Sequence, residues 1–221
     1  MTLALSDKIY GCVSNGRTAL LDLENSTYLC LTDDLDPPIQ KLLTGKPIDT
    51  NEENILQALV DEGVLIRTNG VRTFEKVGIE LPKHHIPAEQ KPAPFGAVGL
   101  AFAYQIAAAI TLTFCPLAQV VEKHKARTRR LAMRPLEADL ATLTKTAKAF
   151  EASERLLPSN NKCLRRSLAM ATYLAHRGVT AKLVIAVKMR PFAAHAWTQV
   201  EDVVVNDHID NVRPFTPILM V

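Results

Sequence analysis

Short apolar runs separated by turn-forming residues mark the first part of the chain. Three such runs, residues 9–13, 19–23 and 27–31, are divided by Ser14, Asn15 and Gly16 and then by Glu24, Asn25 and Ser26. Runs of this length between tight-turn residues predict three short antiparallel strands.

The pattern then changes from strand to helix spacing. Residues 37–43 predict a short helix with prolines in its first turn, and residues 51–62 have apolar positions at helical spacing. Residues 64–66 and Val71, on either side of a turn at Asn69 and Gly70, predict a small hairpin. Three strands, two helices and a hairpin together predict a winged-helix-like domain over residues 1–75.

Prolines and charged residues dominate residues 76–95, which predicts a linker before a second domain at residues 96–221. This domain opens with an Ala-rich, apolar stretch at residues 95–121. We expect a buried or partner-facing helix here, with a peripheral membrane contact as the alternative. The basic cluster that follows is compatible with either a solvated helix or a membrane surface. It consists of Lys123, Lys125, Arg127, Arg129 and Arg130.

One cysteine has a position that suits a nucleophile. Residues 136–157 predict an amphipathic helix, and the good N-cap residues Ser159, Asn160 and Asn161 then precede Cys163. Residues 164–177 have helical periodicity, so Cys163 is expected in the first turn of a helix. The partial positive charge at a helix amino terminus stabilises a thiolate.

A histidine and an aspartate follow on predicted strands. Residues 181–187 predict a buried strand, and residues 194–200 and 203–205 predict a hairpin. With a turn centred on Glu201, opposed residues have numbers that sum to 402, which makes His195 and Asp207 cross-strand neighbours. Asp207 could then orient the His195 ring while the other ring nitrogen faces Cys163.

Composition and charge narrow the function classes. The 221 residues are 48% hydrophobic and carry a net charge of +3, which is too weak a basic character for a typical nucleic-acid-binding protein. The four cysteines form no CxxC pair, so a zinc site has no support, and no P-loop motif is present. We expect no metal or other cofactor. The absence of a signal-peptide pattern and the free thiols predict a cytoplasmic protein.

The order of short motifs in the last 65 or so residues resembles the lasso-peptide biosynthesis B protein family. The motifs are Cys163-Leu164-Arg165-Arg166-Ser167, the apolar run 181–187, Arg190-Pro191-Phe192, His195-Ala196-Trp197 and Val205-Asn206-Asp207. The resemblance implies a papain-like, transglutaminase-like cysteine peptidase with Cys163, His195 and Asp207 as its triad. Its implied substrate is a precursor peptide, cut between leader and core. Its implied partner is an ATP-dependent macrolactam synthetase that closes the core.

The amino-terminal part resembles the precursor-recognition element typified by the pyrroloquinoline-quinone D protein. The resemblance implies that the leader peptide adds a strand beside the third strand and packs on the following helix. The implied leader-binding residues are Thr27, Tyr28, Leu29, Cys30, Leu31, Ile55 and Leu59.

The sequence thus predicts an α+β protein with a small recognition domain and a cysteine hydrolase domain. Two other functions remain compatible with the same residues. A transglutaminase-like acyltransferase would use the same triad but transfer the acyl group to an amine. A non-catalytic scaffold would only bind the precursor peptide.

Overall fold

A computed structural model of the protein describes residues 2–68, 81–87, 92–132, 139–157 and 162–221. The fold is mixed α+β, as predicted. Its strands are β1 (Thr2–Leu5), β2 (Ile9–Ser14), β3 (Arg17–Asp22), β4 (Thr27–Cys30), β5 (Leu65–Thr68), β6 (His84–His85), β7 (Lys182–Lys188), β8 (Ala193–Val200), β9 (Val203–Val204) and β10 (Thr216–Met220). Its helices are α1 (Asp36–Leu43), α2 (Thr50–Ile55), α3 (Gln57–Asp61), α4 (Phe95–Phe114), α5 (Leu117–Ala132), α6 (Leu140–Glu154), α7 (Lys162–His176) and α8 (Ile209–Val212).

The three predicted amino-terminal strands are confirmed. They form an antiparallel sheet in the order β2-β3-β4, so β4 lies at an edge. Asn15 and Gly16 connect β2 to β3 with φ values of 49° and 73°. Asn and Gly tolerate this left-handed conformation, which a two-residue hairpin turn requires.

Other amino-terminal predictions need correction. Strand β1 was not predicted, and β5 pairs with it rather than with a following strand within the described residues. The predicted turn at Asn69 and Gly70 and its strand at Val71 lie outside those residues. The single helix predicted over 51–62 is two helices, α2 and α3, which meet at Leu56. Within the predicted linker, β6 pairs in parallel with β9.

The sheet β2-β3-β4 separates two hydrophobic cores. One face, with Ile9 and Leu20, packs on α1 to α3. The opposite face, with Ala19 and Leu21, belongs to the same core as the carboxy-terminal strands and helices. Strand β2 is also tied to the carboxy-terminal sheet by the Ser14 hydroxyl, which donates to the Val187 carbonyl oxygen at 3.4 Å. The amino-terminal part therefore shares its packing with the rest of the chain.

The carboxy-terminal sheet has the order β10-β7-β8-β9-β6. Strands β7 and β8 were predicted, whereas β10, which pairs antiparallel with β7, was not. Helices α4 to α7 contribute to the core on one side of this sheet. The apolar stretch at 95–121 is divided between α4 and α5 at Cys115 and Pro116, because proline removes a helical hydrogen bond. Helices α6 and α7 occupy the regions where helices were predicted.

The β8–β9 hairpin has a different register from the predicted one. Gln199 pairs with Val204, and Val200 pairs with Val203, so opposed residues have numbers that sum to 403. Two residues, Glu201 and Asp202, form the turn, and Glu201 has a φ of 52°. A regular continuation of this ladder would place His208, not Asp207, opposite His195. The cross-strand relation predicted between His195 and Asp207 is therefore wrong.

Candidate active site

Cys163 lies in the first turn of α7 and is half-buried. Four residues later on the same face, the fully buried Ser167 hydroxyl lies 2.6 Å from the Cys163 carbonyl oxygen and 2.9 Å from the Ala196 carbonyl oxygen. The hydroxyl of Thr198 donates to the Ser167 carbonyl oxygen at 2.9 Å. These bonds connect the start of α7 to β8. The predicted capping residues 159–161 lie outside the described part of the chain.

His195 is brought to Cys163 by the position of β8 in the sheet. Strand β8 pairs along its length with β7 on one side, but it pairs with β9 only at Gln199 and Val200 on the other. The first half of β8 therefore has an edge that β9 does not cover. Cys163 lies there, where it hydrogen-bonds the His195 side chain and the Ala196 N–H.

Asp207 reaches His195 because the ladder between β8 and β9 ends early. The Asn206 side chain accepts a hydrogen bond from the Thr198 N–H at 2.7 Å, in the place of a further backbone partner. The chain then bends, and His195 Nε2 donates to Asp207 Oδ2 at 2.8 Å. Nδ1 of the ring is thereby left for Cys163. The contact between His195 and Asp207 is therefore formed by this bend and not by cross-strand pairing.

The Asp207 carboxylate is held by several donors. Its Oδ1 accepts from the His208 N–H at 2.7 Å and from the Asn211 amide at 2.8 Å. Its Oδ2 lies 3.2 Å from Arg166 Nη2 as well as accepting from His195. A carboxylate held by this many donors keeps its charge and a fixed orientation.

The electrostatics of the three groups favour a thiolate and an imidazolium. Burial raises the pKa of Cys163, but the His195 hydrogen bond and charge, with the N–H groups of Ala196 and Leu164, outweigh it and lower the pKa below its ordinary value. Burial lowers the pKa of His195, but Asp207 and Cys163 raise it to about 9. Burial raises the pKa of Asp207, but His195, Asn211 and the His208 N–H lower it to about 2.

Arg166 belongs to this site although sequence reasoning assigned it no role. Its guanidinium contacts Glu154 through Nε and Nη1, each at 3.1 Å, and Asp207 through Nη2 at 3.2 Å. Arg166 follows Cys163 by three residues, a spacing that places two side chains on the same face of a helix. This spacing is the feature of the sequence that could have placed Arg166 beside Cys163. The missing information was that α6 supplies Glu154.

Asp207 also borders an open cavity of about 580 Å³. Its wall carries charged and polar groups of both signs from α6, α7 and the segment after β9, including Lys148, Glu151, Arg166 and His208. The ring of His208 lies 3.7 Å from that of His85, which belongs to β6 within the predicted linker. The cavity therefore offers a polar surface beside Asp207.

The residues implied to bind a leader lie in two places: five of them are at residues 27–31, on or next to β4, whereas Ile55 and Leu59 are on α2 and α3. Tyr28 packs against the core that contains the active site, whereas Leu29 packs against the core of α1 to α3. Thr27 and Cys30 are exposed, Leu31 and Leu59 are buried, and Ile55 is half-buried. In the described part of the chain β4 pairs only with β3, so its other edge is open.

The Tyr28 side chain connects this edge strand to the triad region. Its ring lies 5.5 Å from the ring of Phe192, in an edge-to-face arrangement, and Phe192 immediately precedes β8. Burial, with a smaller effect of the Cys163 thiolate, raises the pKa of the Tyr28 phenol to about 12. Tyr28 therefore lies near enough to Cys163 for the thiolate charge to act on its phenol.

Three further residues of the carboxy-terminal part, Trp197, His176 and His208, have surroundings that account for them structurally. Trp197 is 1% exposed and packs in a core, and it also borders a small cavity of about 160 Å³. His176 Nδ1 lies 2.7 Å from the Tyr104 hydroxyl. His208 accepts a hydrogen bond from the Asp210 N–H as the N-cap of α8. Within the described ranges, no three His, Cys, Asp or Glu side chains are grouped closely enough to hold a metal ion.

Comparison with protein families gives a match to the transglutaminase-like superfamily over residues 108–220, which is about half of the chain. The chain belongs to this superfamily. The matched region begins within α4 and contains Cys163, His195 and Asp207. It excludes β1 to β6. Comparisons with curated proteins and with solved structures gave no significant match.

Proposed function

We propose that this transglutaminase-like protein is a cysteine peptidase that removes the leader from a lasso-peptide precursor. The observation that carries the peptidase assignment is the arrangement of Cys163, His195 and Asp207. A half-buried thiol at a helix amino terminus contacts a histidine that is oriented by a carboxylate. This arrangement activates a thiolate nucleophile.

The proposed reaction follows from these positions. The Cys163 sulfur attacks the scissile carbonyl carbon, and the protonated His195 gives its proton to the leaving amine as the C–N bond breaks. His195 then takes a proton from water, whose oxygen attacks the thioester, and the leader leaves with a free carboxylate. Backbone N–H groups at the start of α7 are the candidate donors to the oxyanion.

Recruitment of the precursor is assigned to β4. An extended leader can add to the open edge of β4 through backbone hydrogen bonds, as in other β-augmentation complexes. Side chains of the leader would meet α2 and α3 on one face and Tyr28 on the other. Because Tyr28 contacts Phe192 next to the triad, a leader bound here would run toward Cys163. The winged-helix-like recognition element and the papain-like domain are thus two parts of one substrate path.

The lasso-peptide assignment is supported by the order of the carboxy-terminal motifs described above. Cleavage before the core would create an amino group on the core peptide. A partner macrolactam synthetase that uses ATP would join this amine to a side-chain carboxylate. The proposal therefore predicts a hydrolysis product with a free amino terminus.

The test is incubation of the full chain with the precursor peptide encoded beside it, followed by mass spectrometry. We expect two fragments whose masses together exceed that of the precursor by one water molecule. Cys163→Ala should abolish cleavage, whereas the matched variant Cys115→Ala should retain it, because Cys115 has no role in the site described here. Leader binding by Cys163→Ala should match that of the wild type.

Other outcomes distinguish the alternatives. Transfer of the leader carbonyl to an added primary amine, in preference to water, would identify an acyltransferase. Binding of the precursor without cleavage by the wild type, together with an alkylation rate at Cys163 no higher than that of an ordinary thiol, would indicate a scaffold. Full cleavage by Cys163→Ala would end the cysteine-peptidase hypothesis.

A further inference from the structure

Helix α4 exposes an apolar face along its whole length. Its 20 residues include no charged side chain. The exposed large side chains include Phe95, Leu100, Ile106, Ile110 and Phe114, and the two terminal phenylalanines are 96% and 79% exposed. At 1.5 Å per residue the exposed face is about 30 Å long. A contiguous apolar patch of this extent indicates an interaction surface.

The opposite face of α4 anchors it to the protein. Ala101, Gln105 and Ala108 are buried, and the Gln105 amide donates to the Ser153 hydroxyl of α6 at 2.7 Å. Among the described residues, α4 is the one helix with the length and hydropathy of a membrane span. Spanning would require it to leave α6 and α7 and to bury Gln105 in lipid. The structure therefore fits a helix that presents one side to a surface.

A cationic groove lies beside this apolar face. Helices α4, α5 and α7 enclose a cavity of about 250 Å³ whose lining includes Ala107 and Thr111 of α4 and Lys123 and Arg127 of α5. Ala107 is itself exposed, so the groove adjoins the apolar face.

A buried, neutral histidine also lines this groove and adds no third cation to it. His124 lines the cavity and is 2% exposed, and its Nδ1 has no hydrogen-bond partner among the described residues. Burial and the nearby Arg127 lower the pKa of His124. The neutral ring donates through Nε2 to the Ala181 carbonyl oxygen at 3.3 Å, so Nδ1 is an acceptor, and the anion-binding groups of the groove are Lys123 and Arg127.

We propose that the exposed face of α4 and the adjoining groove dock the protein on the surface of an anionic phospholipid bilayer. The apolar side chains enter the boundary between headgroups and acyl chains, and a lipid phosphate occupies the groove beside Lys123 and Arg127. The uncharged outer face offers almost no directional polar group, which a specific protein interface would need. Lys123 and Arg127 suit the anionic headgroup layer of a membrane, and the adjoining apolar face of α4 suits its acyl chains.

The proposal is tested by flotation of the full chain with lipid vesicles. We expect binding to phosphatidylcholine vesicles that contain phosphatidylglycerol and much weaker binding to phosphatidylcholine alone. Binding should weaken as salt is added, because screening reduces the attraction of Lys123 and Arg127 for the lipid. No binding to either vesicle would overturn the proposal.

Two sets of variants, each with a matched control, separate the parts of the surface. Ile110→Asp should weaken vesicle binding about tenfold or more, and Leu100→Asp should do the same at a second position of the face. Val13→Asp changes an exposed apolar residue of β2 and should have no effect. Lys123→Glu should weaken binding to anionic vesicles about tenfold. Lys46→Glu makes the same charge change at an exposed amino-terminal position and should weaken it much less.

The thermal unfolding midpoint and elution volume of each variant are measured in parallel. Unchanged midpoints with lost flotation support membrane docking. Equal flotation of Lys123→Glu and Lys46→Glu would overturn the role of the groove. A wild-type dimer that Ile110→Asp converts to a monomer, with vesicle binding unaffected, would assign the face to a second copy of the chain and overturn the proposal. So would a vesicle-independent complex with the macrolactam synthetase that Ile110→Asp abolishes.

Discussion

Strands β8 and β4 both carry residues near Cys163, but their surroundings differ. Strand β8 is paired along its length with β7, and α7 covers it, so its residues from Ala196 to Val200 are all buried. Strand β4 pairs with β3 on one side and is half-buried, with Thr27 and Cys30 exposed. The buried strand suits a group that must keep one geometry, and the edge strand suits a surface that must accept another chain.

The difference predicts two kinds of mutational effect. Changes around β8 should reduce the rate of the chemical step with little effect on leader binding. Changes on β4 should reduce leader binding and leave the reactivity of Cys163 intact. Four experiments test this division.

Asp207→Asn should have the largest effect. An amide does not stabilise the imidazolium form of His195, so we expect kcat to fall about 10⁴-fold, the size seen when a serine-protease triad acid becomes an amide. Leader binding should be unchanged in the same variant. The control Asp210→Asn alters an exposed carboxylate of α8 and should leave kcat near the wild-type value. A near-normal rate for Asp207→Asn would mean that another group orients His195.

Arg166→Met should have the next largest effect. The variant removes the cation that contacts Asp207 and Glu154, and a charged hydrogen bond contributes enough to predict a loss of roughly 10- to 100-fold in kcat/KM. Arg166→Lys restores the charge but not the fork geometry, so its rate should be intermediate. An unchanged kcat/KM with a lowered unfolding midpoint would restrict Arg166 to a structural role.

The ion pair of His195 and Asp207 should also appear in the pH dependence of stability. Asp207 has its pKa lowered to about 2, so its contribution to the unfolding free energy is present above the ordinary value of 3.8 and is lost as the pH falls through about 2. His195 has its pKa raised to about 9, so its contribution is complete below the ordinary value of 6.5 and is lost as the pH rises through about 9.

The wild type should therefore exceed Asp207→Asn in unfolding free energy by about 2 kcal/mol at about pH 5. The difference should shrink toward both ends of the range. Urea unfolding at a series of pH values measures it. A constant difference across the range would contradict the ion pair as the source.

Proline substitutions on β4 should have the smallest effect, about tenfold on the dissociation constant of a labelled leader peptide. Successive N–H groups of an edge strand point alternately to its partner strand and to the open edge. One of Leu29→Pro and Cys30→Pro should therefore lose leader binding at nearly constant unfolding midpoint. The other should mainly lower the midpoint, because it breaks a bond to β3.

This pair of variants also tests where the leader binds. Both are made in the full chain, because the face of the sheet with Ala19 and Leu21 is buried against the carboxy-terminal part. Wild-type leader affinity in both folded variants would remove β4 from the recognition surface. Alkylation of Cys163 should proceed at the wild-type rate in either variant, since β8 and α7 are unaltered.

Much of the local structure could be predicted from the sequence because it depends on neighbouring residues. Apolar runs between Asn, Gly and Ser gave the strands β2, β3 and β4, and the helical periodicity after Cys163 predicted α7. Placing a thiol in the first turn of a helix requires only the start signal and the spacing. The α+β class followed from elements of this kind, whereas the transglutaminase-like character was implied by the resemblance that the carboxy-terminal motifs carry.

Contacts between distant segments could not be predicted in the same way. Strand β1 pairs with β5 some 60 residues away, and β10 pairs with β7. Neither β1 nor β10 has a distinctive local pattern. The register of β8 and β9 depends on a turn whose length differs by one residue from the predicted one. A single-residue shift reverses the face of every later side chain.

The site combines both kinds of information. Cys163, His195 and Asp207 were candidates from their order along the chain, but the contact of His195 with Asp207 depends on the Asn206 side chain, which replaces a backbone partner and allows the bend. The partners of Arg166 come from α6 and from the segment after β9. Tyr28 approaches Cys163 only because one face of the amino-terminal sheet joins the larger core. These contacts depend on side-chain packing between segments that are far apart in the chain, and the local periodicity of a sequence does not reveal such packing.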